Sequence, residues 1–209
     1  MEQSARIGRF LHADGRCCPV VVTPPPESSD RPLIEALASS QRLGMLGARP
    51  LHEVIAHAEA FVTALVDVRG VVVDIGSGGG VPGLIIARRR PDLQMVLADR
   101  RITRTDHLQR LVGRLGWSAH VRVITVDVFE VGGELGGVVD AVVARGFGPP
   151  QATLRAASAL LADGGRLIVS EPPFEREGRW PADLSAWGMT RVRQDDVRVA
   201  VFLRAEGST

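Results

Sequence analysis

The stretch Val71–Ala87, VVVDIGSGGGVPGLIIA, decides the fold of this 209-residue chain. Its first five residues are apolar apart from Asp74, which predicts a strand that is buried on both faces of a parallel sheet. Five of the nine residues after Asp74 are glycine, the residue type that permits tight turns and a close approach of the backbone. The apolar run that follows Pro82 predicts a helix with proline in its first turn. A strand, a glycine loop and a helix in this order typically begin a nucleotide-binding unit.

Strands and helices alternate along the rest of the chain. The apolar runs predict strands at 94–99, 120–128, 137–145 and 166–170, and helices at 103–116 and 150–165. Such alternation indicates a mainly parallel sheet with helices on both faces. The tail, 189–205, has two apolar runs around Asp195-Asp196 that are too close for a crossover helix, so they predict an antiparallel hairpin. The expected fold is therefore α/β, the Rossmann-like class I fold of S-adenosylmethionine (SAM)-dependent methyltransferases, with a mainly parallel seven-stranded sheet and a C-terminal antiparallel hairpin.

The chain upstream of Val71 has two parts. Residues 1–32 read as an N-terminal extension that ends in a Pro-rich linker, PPPESSDRP. Residues 33–209 read as the methyltransferase domain, which begins with amphipathic helices over 33–69.

Composition excludes several classes of protein. The net charge is +1, so no global basic field points to nucleic acid, and all 25 basic residues are arginine. No apolar run reaches the roughly 18–20 residues of a membrane span, and the N-terminus lacks the apolar core of a signal peptide, so a cytoplasmic protein is expected. Cys17 and Cys18 are adjacent and the five histidines lack ligand spacing, so no metal site is predicted.

Asp74 indicates which ligand the glycine loop serves. A loop that holds a pyrophosphate uses the positive end of a helix, and an acid beside it would repel the phosphates. An acid instead suits a ligand with a cationic amino group, and SAM has an ammonium and a sulfonium but no phosphate. We therefore predict that SAM, rather than NAD, binds at Asp74 and at the loop residues Gly76, Ser77, Gly78 and Gly80.

Two further acids follow the next two predicted strands. Asp99 lies 19 residues after Gly80 (99 − 80), the separation at which an acid commonly accepts hydrogen bonds from ribose hydroxyls. Arg100 is expected beside the ribose. Asp127 is predicted to accept the adenine amino group, with the Val128 N–H facing a ring nitrogen.

The segment from Asp74 to Arg101, DIGSGGGVPGLIIARRRPDLQMVLADRR, resembles the cofactor segment of the glucose-inhibited division protein B family. Val-Pro-Gly after the glycine run is the distinctive part, and the resemblance extends from about Leu33 to Val169. Membership implies a SAM-dependent methyltransferase that modifies guanine N7 in small-subunit ribosomal RNA.

The departures from the family lie on the substrate side. The family's Arg-His and the Asn three residues later correspond to Ala56, His57 and Ala60, its Lys-Arg to Thr103-Arg104, and its Arg-Ala-Glu to Asp127-Val128-Phe129. SEPPF stands where the family has a lysine after the fifth strand, whereas Arg145 is retained. The resemblance therefore supports SAM more strongly than it supports the ribosomal substrate.

Arg145 and His57 are the predicted catalytic residues. Arg145 ends the fourth predicted strand, where its guanidinium can hold a guanine O6, a phosphate or the cofactor. Guanine N7 has a lone pair and no proton, so its methylation needs no general base. Two alternatives stay open: a small-molecule methyltransferase with Glu171 or His57 as base, and a SAM-binding protein without ribosomal RNA activity.

Overall fold

The computed structural model describes residues 30–130, 135–172, 178–192 and 198–207. The helices in this part of the chain are α1 (Arg31–Arg42), α2 (Leu51–Ala64), α3 (Gly83–Arg89), α4 (Ile102–Leu115) and α5 (Pro150–Leu160). The strands are β1 (Val71–Ile75), β2 (Gln94–Asp99), β3 (Val121–Thr125), β4 (Val139–Ala144), β5 (Leu161–Ser170), β6 (Met189–Val192) and β7 (Val199–Arg204).

The seven strands form one sheet in the order β3-β2-β1-β4-β5-β7-β6. Strands β1 to β5 are mutually parallel, and β7 pairs antiparallel with both β5 and β6. The predicted class I fold with its antiparallel end is therefore confirmed. Strands β2 and β3 lie on one side of β1, and the chain then crosses to β4 on the other side of β1. A crevice therefore opens at the carboxyl ends of β1 and β4.

Each face of the sheet carries its own apolar core. Successive side chains of β1 point to opposite faces of the sheet. Val72 packs with α1 to α4, whereas Val71 and Val73 pack with α5 and the C-terminal strands. Burial on both faces explains why the strand reads as an unbroken apolar run with one acid in it.

Helix α5 is shorter than its pattern predicts. It ends at Leu160 rather than at the glycine pair, because Leu161 is already extended and pairs with Val139 of β4. Gly164 then takes a φ of +75°, and β5 resumes regular pairing at Arg166. The turn with positive φ lies inside the strand instead of capping the helix.

Polar contacts attach helices α1 and α2 to the rest of the domain. Ser40 of α1 and His107 of α4 form a buried hydrogen bond of 3.0 Å. Arg89 of α3 donates to both oxygens of Asp30 at 2.7 Å and to Glu59 of α2 at 2.9 Å. Helix α1 begins at Arg31, inside the predicted linker, because proline fits the first turn of a helix.

Two of the sequence-based predictions concern residues that the structure does not describe. Residues 1–29 of the predicted extension (1–32), with the cysteine pair, and the predicted Asp195-Asp196 turn lie outside the described residues. In the part of the chain that the structure describes, every helix is too short or too polar to cross a membrane.

Candidate cofactor and substrate site

The conformation of the glycine loop disfavours any residue with a side chain. Gly76, Gly78 and Gly80 have φ of +69°, +53° and +94°, which L residues rarely adopt. Gly83 is required for a different reason, since a β-carbon there would lie 2.6 Å from Asp74 Oδ2. The loop therefore needs glycine for backbone conformation at three positions and for close packing at a fourth.

Asp74 is fully buried beneath this loop. Its Oδ2 accepts a hydrogen bond of 3.0 Å from the Gly83 N–H, while Oδ1 has no hydrogen-bond partner among the described residues. Burial raises the pKa of Asp74 to about 7, although the Gly83 N–H and the charge of Arg145 favour the carboxylate. A buried acid with an unsatisfied oxygen fits a cationic partner such as the ammonium of SAM.

Asp99, at the end of β2, also holds the protein's own backbone. Its Oδ2 accepts from the Gly78 N–H at 3.0 Å and its Oδ1 from the Arg101 N–H at 2.9 Å, which ties the glycine loop to the start of α4. Arg104 approaches Oδ2 at 3.4 Å. Sequence reasoning missed this role, although Oδ1 of Asp99 keeps a second lone pair for a ligand.

The remaining predicted cofactor residues take different positions. Ser77 is buried, and its hydroxyl donates to the Asp74 carbonyl at 2.8 Å, so it shapes the loop. Asp127 accepts the Phe129 N–H at 3.1 Å in the turn that follows β3. The Val128 side chain is buried in the core of the α5 face, and Arg100 is exposed.

Arg145 follows β4 at the crevice and is half-buried. Burial and the like charge of Arg49 lower the pKa of Arg145, whereas Asp74 raises it. Arg49 was not predicted from sequence, because it precedes α2 in a loop of no recognisable motif. The structure brings this loop onto the glycine loop, where a β-carbon on Gly79 would lie 2.8 Å from the Met45 carbonyl oxygen.

The two residues considered as bases differ in their surroundings. His57 is partly exposed on α2, and its ring centroid lies 6.4 Å from that of Phe61, which is a packing contact within one helix. Glu171 is buried: one carboxylate oxygen accepts from the Trp180 indole N–H and the other lies 3.4 Å from Arg179. Because both oxygens are engaged, Glu171 is poorly placed to act as a base.

No group of three or more His, Cys, Asp and Glu side chains within the described ranges is arranged to hold a metal ion. The polar groups at the crevice are instead one unsatisfied acid, two further acids and a pair of guanidiniums. Such a set suits an organic ligand with both cationic and hydrogen-bonding groups.

Comparison with known proteins identifies the family to which this arrangement belongs. The model of the family described as GidB, rRNA small subunit methyltransferase G, matches residues 36–173. The chain belongs to the GidB family. The match contains the glycine loop, Asp99, the turn after β3 and Arg145, so it covers the whole crevice.

Several proteins named ribosomal RNA small subunit methyltransferase G are similar to this member of the GidB family. The protein from Salinispora tropica is 35% identical over 114 residues, which are 53% of this chain and 47% of that protein. The protein from Neisseria meningitidis is 33% identical over 143 residues, 66% of this chain and 67% of that protein. The chain spans about half the length of the relatives from Salinispora, Mycobacterium and Leifsonia that it matches.

Solved structures share the fold at low sequence identity. The [4+2]-cyclase SpnF superposes with a TM-score of 0.65 and 17% identity, covering 84% of this chain and 94% of that one. A putative SAM-dependent methyltransferase from Methanococcus maripaludis gives a TM-score of 0.58 and 14% identity, covering 90% and 99%. One of these proteins is named a cyclase, so the fold alone does not specify methyl transfer.

Proposed function

We propose that this chain is a SAM-dependent methyltransferase that acts on small-subunit ribosomal RNA at guanine N7. The observation that carries the proposal is the unsatisfied Oδ1 of Asp74, buried beneath the glycine loop of a GidB-family crevice. A buried carboxylate is costly without a cationic partner, and the SAM ammonium is such a partner.

The other acids would hold the adenosyl part. Oδ1 of Asp99 retains a lone pair for a ribose hydroxyl, while the contacts of Asp99 with the backbone keep the loop in place. Asp127, with the Val128 N–H, would bind the adenine edge, and exposed Arg100 would lie along the ribose. Gly76, Ser77, Gly78 and Gly80 form the floor on which the methionyl part would rest.

The reaction makes modest demands on the protein. Bound SAM supplies a methyl group activated by its sulfonium charge. Guanine N7 carries a lone pair and no proton, so the chain needs to hold the base about 3–3.5 Å from that methyl group, in line, and to exclude water. This agrees with a crevice in which Glu171 is engaged elsewhere, and it leaves His57 as a proposed positioning residue on α2.

Arg145 and Arg49 are the groups best suited to receive RNA. Their like charges lie near one another at the carboxyl end of β4, and neither side chain forms an ion pair with a described residue. An anion between them would relieve their repulsion, and a guanidinium also recognises guanine O6. Both a phosphodiester and a guanine edge are chemically suitable ligands for this pair.

Labelling with methyl-tritiated SAM tests the proposal. The purified protein is incubated with small-subunit RNA from a strain that lacks its gene, and in parallel with a metabolite extract. Labelled 7-methylguanosine in the RNA digest is expected. Label only in the metabolite fraction would overturn the RNA assignment, and failure of the protein to bind SAM in calorimetry would overturn the methyltransferase assignment.

A further inference from the structure

Phe129 is a large aromatic residue that the fold leaves at the surface. It lies in the turn after β3, and 43% of it is exposed, although apolar rings are ordinarily buried. Its position is nevertheless defined, because its N–H donates to Asp127 at 3.1 Å. Phe129 is therefore attached to the same turn that supplies the proposed adenine contact.

The Phe129 ring belongs to a cluster of side chains that reaches the glycine loop. On one side, the guanidinium carbon of Arg155 in α5 lies 4.4 Å from the ring centroid. On another, the ring centroid of Phe147 lies 5.9 Å away, with the planes inclined at 46°. Phe147 in turn touches the loop, since a β-carbon on Gly76 would lie 2.9 Å from its Cδ2.

These contacts orient an exposed ring without burying it. A cation–π contact and an aromatic contact both favour particular orientations, so the Phe129 ring has lost much of its freedom before any ligand arrives. An oriented and solvent-exposed aromatic surface beside a cofactor loop suits a planar heterocycle, because every nucleobase presents a π face.

We propose that Phe129 stacks on the target base and thereby contributes to substrate recognition, with Arg155 and Phe147 positioning its ring. The inference rests on the proposed function, because it assigns the surface to the RNA base that accepts the methyl group. The Phe129–Phe147 pair bridges the turn after β3 and the segment after β4. A base on this pair would lie beside Gly76, at the β1 end of the glycine loop.

The test compares Phe129→Leu and Phe129→Tyr in steady-state methylation of small-subunit RNA. Leucine keeps apolar bulk and removes the ring, so KM for RNA should rise about 5- to 100-fold, the range that stacking of one base represents. Tyrosine keeps the ring and should restore KM to within about threefold of the original. Val66→Ala, which changes another exposed apolar side chain (68% exposed) at the C-terminal end of α2, serves as the matched control.

Binding of SAM, measured by calorimetry, separates this inference from its alternatives. The Kd for SAM should change less than about twofold in Phe129→Leu, whereas a loss as large as the change in KM would assign Phe129 to the cofactor adenine and overturn the inference. An unchanged KM in Phe129→Leu would overturn it as well. If neither the unmodified protein nor Val66→Ala methylates RNA, the proposed function itself fails. That outcome does not depend on Phe129, so it is distinct from failure of this inference.

Discussion

At the scale of single residues, Asp74 destabilises the ligand-free fold but is suited to bind a cationic ligand. It lies in β1, an interior strand of the sheet, is fully buried, and leaves one oxygen unsatisfied among the described residues. Burial raises its pKa to about 7, well above the ordinary value of 3.8. Because the folded state holds the proton more tightly than the unfolded chain, this residue lowers the stability of the ligand-free protein as pH rises from about 4 to 7.

The same shift predicts a pH dependence of cofactor binding. In the proposed complex the SAM ammonium pairs with the Asp74 carboxylate, so a proton must leave Asp74 before SAM binds. Affinity for SAM should therefore rise with pH from about 5.5 until it levels off near 7.5. The slope should approach tenfold per pH unit well below pH 7, where an α-amino group stays protonated. Calorimetry at several pH values measures it.

Asp74→Asn is the matched control for this pH profile. The amide keeps the shape of the side chain and cannot be charged, so SAM should bind more weakly and with a flat profile over this range. If the variant retained the slope of the original protein, the titrating group would be another residue.

At the scale of elements, the loop between α1 and α2 forms one wall of the crevice. The Gln41 amide donates to the Gly47 carbonyl at 2.8 Å and to the Arg49 carbonyl at 2.7 Å, which fixes the loop from within. The Met45 carbonyl packs on Gly79 of the glycine loop. The Gln41 side chain thus fixes the position of the Arg49 backbone, from which the guanidinium extends.

Replacement of Gln41 by methionine should release this loop. The loss of two hydrogen bonds at a partly exposed site should lower the free energy of unfolding by about 1–2 kcal/mol. Affinity for RNA should fall with it, while the Kd for SAM should change little. Denaturant unfolding and filter binding measure the two effects.

Gln109→Met provides the comparison for the Gln41 variant, because Gln109 is exposed on α4. This substitution should leave both stability and RNA affinity within error of the original. Equal behaviour of the two variants would show that the Gln41 hydrogen bonds do not position the loop.

At the scale of the whole molecule, the arrangement of the arginines matters more than their number. The net charge is only +1, and several arginines are neutralised within the fold, as Arg89 is by Asp30 and Glu59 and Arg166 is by Asp67. Arg49 and Arg145, at the crevice, are among the arginines that form no ion pair with a described residue. Binding to RNA should therefore depend on a few local contacts rather than on a general basic surface.

Salt dependence measures those contacts. The logarithm of the RNA affinity should fall linearly with the logarithm of salt concentration, and Arg49→Gln and Arg145→Gln should each reduce the slope by about 1. Arg166→Gln removes an arginine that is already paired with Asp67, so it should leave the slope unchanged. A slope that drops equally in all three variants would contradict a local RNA site.

The sequence alone was sufficient for the architecture and for the placement of Asp74, the glycine loop and Asp99 at one edge of the sheet. Buried parallel strands read as apolar runs, and a turn with positive φ reads as glycine, because both requirements act locally on the chain. The order of Asp74, the glycine loop and Asp99 at successive strand ends could be predicted for the same reason, since parallel strands bring their carboxyl ends to one edge.

Other features were decided by tertiary structure. Arg49 reaches the crevice because a loop without a motif packs on Gly79. The Phe129 ring is in contact with Arg155 of α5 and with Phe147 after β4, both distant in the sequence. The engagement of Glu171 depends on Trp180, nine residues further along the chain. Such pairings are set by tertiary packing, to which a local pattern of residue types is insensitive, so only the folded chain reveals which groups meet at the crevice.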